Sequence, residues 1–445
     1  MTPAFFSRRL ALLAALASSA LLAACGGGGG GGGGNTNLRA INLTTDLPSI
    51  DLFTSDTRRF SGLATDAVAT SISLEANTYT LNVKKANDGA TLLTGSYTLA
   101  KDQNYTAVIW GRETALRVST LPEDENVDGI TDATNTKVRF FNATTDTGVV
   151  DVFITAANAE LGEALPIQAS LPSGSLSGFR DQSSGQYRLR VTSAGDPNDV
   201  RLDIPSITLP GKKYVTLVLT AGAGGVLVNG TLIEQRAGVT TLKNTKARVR
   251  MVASVAAAGN ISASLGGSTL VGALRSPGVG PYTLVNSGTQ ALTVRVNGVG
   301  ISSATRTFVP GADYTLLAYG AANAGQLAVL TDDNRLPSVN TRAKIRLVNG
   351  LTTTDPLTLQ IDFLTQTATS DILAGTASAY ATVTAAGSAR LDVTSPTAST
   401  PLFFITAASS SSLLQAQGVY TVFMLGGAAL PDGSPTPAGR LSRDR

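Results

Sequence analysis

An acidic loop at residues 124–135 carries the pattern that most clearly suggests ion binding. Oxygen donors stand at positions one, three, five and nine of this loop: Asp124, Asn126, Asp128 and Asp132. This spacing is typical of the start of an EF-hand calcium loop, in which a glycine at position six, here Gly129, allows the sharp turn. The twelfth position holds Asn135, where a bidentate glutamate is expected. The loop therefore either binds Ca²⁺ and stiffens a joint between domains or is a solvated acidic linker.

A second acidic pattern is a pair of nearby aspartates that recurs in three places along the chain. The pairs are Asp46 with Asp51, Asp146 with Asp151, and Asp355 with Asp362. Two carboxylates can work as acid and base in glycoside hydrolysis. Several of these aspartates, however, adjoin a proline or open an apolar run, as turn residues do. We therefore expect structural turns and predict that the protein is not an enzyme.

The remaining composition removes most other kinds of chemistry. The sequence contains no histidine, which is the commonest general base and the commonest transition-metal ligand. Outside residues 1–24 there are 32 basic and 31 acidic residues, and basic runs interleaved with aromatic residues do not occur. A nucleic-acid interface is therefore not predicted. Apart from the candidate Ca²⁺, no cofactor is expected.

The only cysteine, Cys25, lies at the end of an N-terminal export signal. Residues 1–24 contain Arg8 and Arg9, then an apolar run, then small residues, which is the layout of a signal peptide. The apolar run is shorter than the ~20 residues of a membrane span. The tetrapeptide Leu-Ala-Ala-Cys that ends at Cys25 resembles a bacterial lipobox, which implies cleavage before the cysteine and acylation of its thiol, for example with palmitate. The alternatives are an unmodified cysteine after an ordinary signal peptide and a twin-arginine export signal.

Residues 25–37 form a tether between this cysteine and the rest of the chain. The nine glycines Gly26–Gly34 have no side chains to bury and behave as a random coil that spans roughly 15 to 20 Å. The residue after the cysteine is glycine and not aspartate, which by the lipoprotein resemblance favours the outer membrane over the inner membrane. Two or more acyl chains form a stable anchor. We therefore expect a lipoprotein anchored in the outer membrane that faces the periplasm or the cell surface.

The elements that position these residues repeat four times. A basic strand opener begins at Arg39, Arg139, Arg250 and Arg346, and a tyrosine strand begins at Tyr105, Tyr214, Tyr314 and Tyr420. The repeat length of about 100 residues is that of an independent domain. The sequence thus predicts four units, at residues 38–135 (unit 1), 136–243 (unit 2), 244–339 (unit 3) and 340–445 (unit 4).

Within each unit, apolar and polar residues alternate, which indicates half-buried strands. In the segment that begins at Tyr79, for example, Tyr79, Leu81 and Val83 share one face. Turn clusters of small and polar residues separate such segments. This rhythm predicts an all-β chain, a tandem array of four antiparallel β-sandwiches of the immunoglobulin-like kind.

The openers, the tyrosine strands and the closing run Val329–Asn334 together resemble the bacterial family called domain of unknown function 4397. The resemblance covers residues 38–445 and implies a secreted, tandem β-sandwich module for which no activity is established. Where that family often has a histidine after the opener, this chain has Asn42, Asn142 and Asn349, and Ala253 in unit 3.

The combined features predict a non-catalytic, lipid-anchored protein of the cell envelope with a structural, adhesive or ligand-binding role. Four similar weak sites on one anchored chain would raise avidity. Its expected partners are the membrane, through the lipid, and a protein or glycan ligand. The alternatives are a polysaccharide-binding accessory protein, a periplasmic scaffold and, as a third class, a hydrolase that uses the aspartate pairs.

Overall fold

The computed structural model of the protein describes residues 34–256, 259–352, 355–406, 413–429 and 435–445. These residues form 35 strands and four single-turn 3₁₀ helices. None of the helices in this part of the chain is long and apolar enough to span a membrane. The expectation of an all-β chain is therefore confirmed.

The strands of the first two units have the following bounds. Unit 1 contains β1 (Asn35–Thr44), β2 (Ser49–Thr54), β3 (Thr57–Ala64), β4 (Ile72–Glu75), β5 (Asn77–Lys85), β6 (Thr91–Leu99), β7 (Asn104–Gly111) and β8 (Arg117–Pro122). Unit 2 contains β9 (Asn135–Ala143), β10 (Val150–Thr155), β11 (Gln168–Leu171), β12 (Arg180–Ser183), β13 (Gly185–Ser193), β14 (Asp196–Leu209), β15 (Lys213–Ala221), β16 (Val228–Glu234) and β17 (Val239–Leu242). The 3₁₀ helices of these units are Glu113–Ala115, Val127–Gly129 and Leu161–Glu163.

The last two units repeat the same order of strands. Unit 3 contains β18 (Lys246–Val255), β19 (Asn260–Leu265), β20 (Ser268–Arg275), β21 (Gly278–Val279), β22 (Thr283–Asn286), β23 (Gly288–Val296), β24 (Val299–Phe308), β25 (Asp313–Ala321) and β26 (Ala324–Asp332). Unit 4 contains β27 (Arg342–Asn349), β28 (Thr358–Ile361), β29 (Leu364–Thr365), β30 (Thr376–Ala377), β31 (Ala381–Thr384), β32 (Leu391–Thr394), β33 (Phe403–Ile405), β34 (Val419–Ala429) and β35 (Pro435–Arg443), with the 3₁₀ helix Thr367–Thr369.

Each unit is a sandwich of two sheets. In unit 1 the order of strands is β4-β1-β7-β8 in one sheet and β3-β2-β5-β6 in the other, and the other units keep this pattern. The array of β-sandwiches is confirmed, and within the described strands all but one of the pairings in each unit are antiparallel. The opener strand pairs in parallel with the tyrosine strand, as between β1 and β7. The chain crosses to the second sheet and back between these two strands, which supplies the long connection that parallel neighbours need.

The core of each unit lies between its two sheets. Alternate residues of the strands face inward, as the period-2 pattern predicts, so that Leu81 and Val83 of β5 are buried against Ile50 and Leu52 of β2. Comparable inner clusters fill the other three sandwiches. Burial of these side chains is the main stabilising contribution to each unit.

The opener strands are buried on both faces, which the alternation did not predict. In β1, Ala40 faces the core of unit 1, while Ile41 packs against residues of unit 2. A second apolar cluster joins units 1 and 2: Ile41, Leu43, Val108, Trp110, Leu121, Phe141, Ala143, Val218 and Ile233. The corresponding cluster between units 3 and 4 contains Val252, Leu317, Val348, Phe423 and Leu425. The four sandwiches therefore associate as two back-to-back pairs.

Three of the four tyrosine strands begin with a tyrosine corner. The hydroxyl groups of Tyr105, Tyr314 and Tyr420 each accept a hydrogen bond from the backbone N–H five residues earlier. Tyr214 does not share this position, because Val215 and not Tyr214 occupies the equivalent place in the parallel register with the opener. A shift of one residue turns a strand side chain to the other face. Tyr214 accordingly packs edge-on against Phe179.

Candidate functional site

The structure does not bring the predicted calcium ligands together. The carboxylate of Asp124 accepts hydrogen bonds from the backbone N–H and the side-chain amide of Asn104 and pairs with Arg236. Asn126 and Asp132 each cap a turn of their own loop. Asp128 points to solvent, with its side chain 93% exposed. Among the described residues, no three acidic, histidine or cysteine side chains are close enough to hold a metal ion. This arrangement gives the calcium hypothesis no geometric support.

The paired aspartates act separately as turn residues. The carboxylate of Asp46 accepts a hydrogen bond from the backbone of Glu113, whereas that of Asp51 accepts one from Gly62. In unit 2, Asp151 binds two loop N–H groups, while Asp146 pairs with Arg112 across the boundary between units 1 and 2. Backbone N–H groups at turns are common partners of aspartate. In unit 4, Asp355 accepts hydrogen bonds from the hydroxyl groups of Ser395 and Thr397, whereas Asp362 accepts one from the backbone N–H of Arg390. Because the two members of each pair have different partners, these contacts do not form an acid–base pair. Cys25, the predicted lipid attachment site, lies outside the described residues.

The asparagines that follow three of the openers are structural. Asn42 and Asn142 are fully buried, and their amides donate to the carbonyl groups of Leu63 at the end of β3 and Leu171 at the end of β11; that of Asn142 also donates to Gly148 in a loop. Asn349 likewise donates to the carbonyl group of Ile372. A buried amide with its hydrogen bonds satisfied fixes the loops around it. These positions therefore hold loops of the same unit in place.

A repeated set of polar residues lies on the outer face of each opener, where two units meet. The opener arginine donates from Nε to the hydroxyl of the threonine opposite it on the tyrosine strand, at 2.8 to 3.1 Å, in all four units. The pairs are Arg39 with Thr106, Arg139 with Thr216, Arg250 with Thr315 and Arg346 with Thr421. A third polar residue lies at the end of the strand that follows the tyrosine strand, and it occupies the same place in the register of all four units. These residues are Glu123, Gln235, Asp332 and Asp444. We call the arginine, threonine and acid of one unit its interface triad.

Between units 3 and 4 the triads are exchanged. Arg250 of unit 3 binds Asp444 of unit 4 at 2.5 Å, and Arg346 of unit 4 binds Asp332 of unit 3 at 2.5 Å. Each threonine donates to the acid of its own unit, as Thr315 does to Asp332 at 2.6 Å. All four charged side chains are at most 2% exposed. The two units are therefore joined by a buried network of two ion pairs, each of which connects unit 3 to unit 4. Removal of one partner of a pair would leave the other charge buried without a counter-charge.

The ionised forms of Asp332 and Arg250 in this network are stabilised by the opposite charges around them. Burial raises the pKa of the Asp332 carboxyl, but Arg346 and Arg250 outweigh burial and hold that pKa below its usual value. Burial lowers the pKa of Arg250, but the acidic groups around it, Asp444 and Asp332 among them, raise it above the ordinary value. Asp332 and Arg250 are therefore ionised over the physiological range of pH.

The triads of units 1 and 2 are asymmetric. Arg39 binds Glu123 of its own unit at 2.5 Å and also reaches the backbone carbonyl groups of Glu234 and Ala237 in unit 2. Unit 2 has Gln235 in place of the acid, and Gln235 binds the backbone of Glu125. The triads of units 1 and 2 therefore contain one buried ion pair where those of units 3 and 4 contain two, and the larger apolar cluster around Trp110 accompanies this difference.

An aromatic side chain covers the arginine in three of the triads. Phe179 lies over Arg139, Tyr282 over Arg250 and Tyr380 over Arg346, at 4.5 to 4.9 Å. Cation–π contact of this kind is attractive, particularly away from water. Neither the aromatic residues nor the acids were predicted as a set. These residues occupy a common position relative to the opener and the tyrosine strand of each unit. The loops between them differ in length from unit to unit, so this common position is not visible as a fixed spacing in the sequence.

Asp313, beside the network of units 3 and 4, should make stability depend on pH. Its buried carboxylate accepts a hydrogen bond from Asn334 at 2.7 Å and lies 3.6 Å from Arg248. Burial raises the pKa of Asp313 to about 6, although Arg248 and the hydrogen bond from Asn334 both act to lower it. Because the pKa of Asp313 is higher in the folded than in the unfolded protein, the folded protein binds this proton more tightly. The resulting contribution to the free energy of unfolding is present below about pH 4 and is lost as pH rises through 6.

We therefore expect Asp313→Asn to flatten the pH profile of stability. Between pH 4 and pH 7 the free energy of unfolding of the wild-type protein should fall relative to that of the variant by on the order of 3 kcal/mol. Urea unfolding at several pH values measures this difference. Parallel profiles for the two proteins would contradict the assignment.

A polar cleft of about 1130 Å³ lies where the two pairs of units meet. Its walls come from residues 110–117 of unit 1, 144–146 and 173–174 of unit 2, the connection 333–338, and 344 and 379–382 of unit 4. The pairs touch beside it, where the backbone N–H groups of Asn334 and Leu336 donate to the carbonyl groups of Gly224 and Asp146. We call this feature the polar cleft.

At this point the two pairs of units approach each other so closely that residue 225 must be glycine. Gly225 has a φ of +88°, and a Cβ atom at this position would lie 2.6 Å from the Cα atom of Arg335. A larger residue would therefore be strained in its backbone and would collide with the connection. This contact helps to fix the opening of the polar cleft.

Among solved structures, the chain is similar to the Bacillus anthracis TIE protein, with 8% sequence identity over 63% of this chain and 49% of that chain and a TM-score of 0.13. A similarity at this level carries no argument about function. No match was found among curated proteins.

A family profile gives the clearest result. The family described as "Domain of unknown function (DUF4397)" matches residues 36–153 and 247–360, which together make up just over half of the chain. Each matched segment begins in the opener of the first unit of a pair and continues into the second strand of its partner unit. The chain therefore belongs to the DUF4397 family.

Proposed function

We propose that this protein is a non-catalytic, lipid-anchored component of the bacterial cell envelope that presents four β-sandwiches as two fixed pairs. The observation that carries the proposal is the exchanged network of Arg250, Asp444, Arg346 and Asp332, together with the apolar clusters between units. Buried contacts of this kind hold neighbouring domains in one arrangement, unlike a bare linker. The protein would thus act as a structural or adhesive spacer on its glycine tether.

The charged residues that the four units share support a structural role. In units 1, 3 and 4 the opener arginine and the acid of the triad are buried in ion pairs, and Arg139 of unit 2 is buried beneath Phe179, so these side chains are not free to contact a substrate. The members of the three aspartate pairs that would serve a hydrolase bind separate partners. A hydrolase is therefore the less favoured proposal.

The polar cleft favours a second candidate function, the binding of a polysaccharide. It combines charged groups with Trp110 and lies on the surface between units, where an extended ligand could enter. The structural and binding roles are compatible, since a fixed array can both space and bind.

Anchoring is tested with a Cys25→Ala variant. We expect the unmodified protein in the membrane fraction, labelled by a palmitate analogue, because acyl chains on Cys25 would hold it there. The variant should lose the label and leave the membrane fraction. A variant that stays in the membrane fraction without label would contradict lipid anchoring.

Orientation is tested by antibody labelling of units 3 and 4 on intact cells. Labelling without permeabilisation would support an adhesive role at the surface. Labelling that requires permeabilisation of the outer membrane would replace it with a periplasmic scaffold.

A further inference from the structure

We propose that the polar cleft binds an acidic oligosaccharide, with a sugar carboxylate against Arg117 and sugar hydroxyl groups against Asp146 and Tyr380. This inference rests on the proposed envelope location, where the protein would meet such glycans. It names a ligand class and a site that the paired architecture alone does not require.

Two buried polar atoms at the cleft have no partner among the described residues. They are Oδ1 of Asp146 and the hydroxyl oxygen of Tyr380. The side chain of Asp146 is only 9% exposed, and its other oxygen accepts from Nε of Arg112 at 2.6 Å. Buried polar atoms are almost always hydrogen-bonded in native proteins. A ligand that donates hydrogen bonds at this wall would satisfy the carboxylate oxygen.

The chemistry of these two atoms selects hydroxyl groups. A carboxylate oxygen accepts hydrogen bonds only, and a phenol both donates and accepts. A sugar hydroxyl can donate to Asp146 and exchange a hydrogen bond with Tyr380, whereas sulfate offers no donor and the charge of either sulfate or phosphate would be repelled by Asp146. The free carboxylate oxygen therefore favours a hydroxyl-rich ligand over a simple anion.

The charge of the cleft selects an acidic sugar. Arg112, Arg117, Arg335 and Lys344 line it together with the two carboxylates of Asp146 and Asp333. Arg335 and Lys344 both bind Asp333, at 2.6 and 2.8 Å. Arg117 is exposed and forms no ion pair with any residue that the structure describes. A carboxylate on the ligand would supply its partner, because arginine binds carboxylates in a bidentate manner.

The size and the apolar wall fit several sugar rings. A volume of about 1130 Å³ exceeds the roughly 300 to 1,000 Å³ of ordinary small-molecule pockets. Leu336 and Pro337 line one part of the cleft and offer apolar surface to the C–H faces of a sugar. A short oligosaccharide, not a monosaccharide, would use this space.

The test is a binding measurement on the full-length protein in detergent micelles. Surface plasmon resonance compares a tetragalacturonate, a tetramannuronate and the methyl ester of tetragalacturonate, which keeps most hydroxyl groups and removes the charge. Arg117→Gln and Tyr380→Phe remove two of the three proposed contacts without disturbing a described side-chain hydrogen bond. Arg306→Gln, an exposed arginine on β24 of unit 3, is the matched control.

At least one of the two acidic tetramers should bind. If tetragalacturonate binds, its methyl ester should bind about ten-fold more weakly. Arg117→Gln and Tyr380→Phe should each weaken binding about five-fold or more, and Arg306→Gln should leave it unchanged. No binding of either acidic tetramer, equal binding of acid and ester, or unchanged binding by both cleft variants would overturn the proposal. Failure of membrane anchoring in cells would overturn the proposed function instead and leave this binding result intact.

Discussion

Replacement of Asp332 by asparagine should destabilise units 3 and 4 by about 3 to 5 kcal/mol. The carboxylate of Asp332 binds Arg346 at 2.5 Å and accepts hydrogen bonds from Thr315 and Tyr282, each at 2.6 Å. The side chain is fully buried, so water cannot replace the lost carboxylate as a partner for the guanidinium groups. An asparagine side chain has nearly the same volume as an aspartate side chain, and the loss would therefore report the missing charge rather than a cavity.

Urea unfolding followed by circular dichroism measures this effect. The matched control is Asp203→Asn, which breaks a 2.6 Å ion pair with Arg188 at the surface of unit 2. Exposed ion pairs contribute at most about 1 kcal/mol, so the control should change stability little. Equal, small effects for the two variants would mean that Asp332 is not in a buried network.

Replacement of Phe141 by alanine should destabilise the pair of units 1 and 2 by about 3 to 5 kcal/mol. Phe141 of unit 2 is 2% exposed and packs edge-on against Trp110 of unit 1, with 5.5 Å between the ring centroids. Its removal leaves a cavity inside the apolar cluster that joins the two units. Trp110 is the only tryptophan of the chain, so its fluorescence reports directly on this interface.

In the Phe141→Ala variant the emission of Trp110 should shift to longer wavelength, because water gains access to the indole ring. The matched control is Phe404→Ala in unit 4, where the phenylalanine is 57% exposed. This control should change neither the stability of units 1 and 2 nor the emission of Trp110. Unchanged emission and a loss below about 1 kcal/mol in Phe141→Ala would indicate that the units do not pack through this face.

The sandwich fold was predictable because its signals are local. Alternation in segments such as Tyr79–Val83 and the polar turns between segments depend on residues close in sequence. The fourfold repetition of the opener arginine and the following strand strengthened this prediction. The parallel pairing of opener and tyrosine strand was not predicted, since it depends on which distant strands become neighbours.

The pairing of units was harder to infer, although one signal was present. Adjacent apolar residues such as Phe140 and Phe141 indicate a strand buried on both faces. In this chain Phe140 faces the core of unit 2, while Phe141 faces unit 1. The sequence does not reveal which partner covers the outer face, because the partner surface is formed by another unit.

The interface triads illustrate the same limit for the polar residues. Arg250 and Asp444 are 194 positions apart and meet only because units 3 and 4 pack back to back. The calcium hypothesis relied on a local spacing, but the loop turns its donors toward Asn104, Arg236 and its own backbone. Local spacing indicates turn residues, but it does not determine where their side chains point.

A double-mutant cycle between Arg250 and Asp444 tests the back-to-back pairing most directly. The two residues belong to different units and lie 2.5 Å apart only if the pair forms as described. Arg250→Met, Asp444→Asn and the double variant are compared by urea unfolding. The pairing predicts a coupling free energy of at least about 1.5 kcal/mol, whereas a coupling within about 0.5 kcal/mol of zero would contradict it.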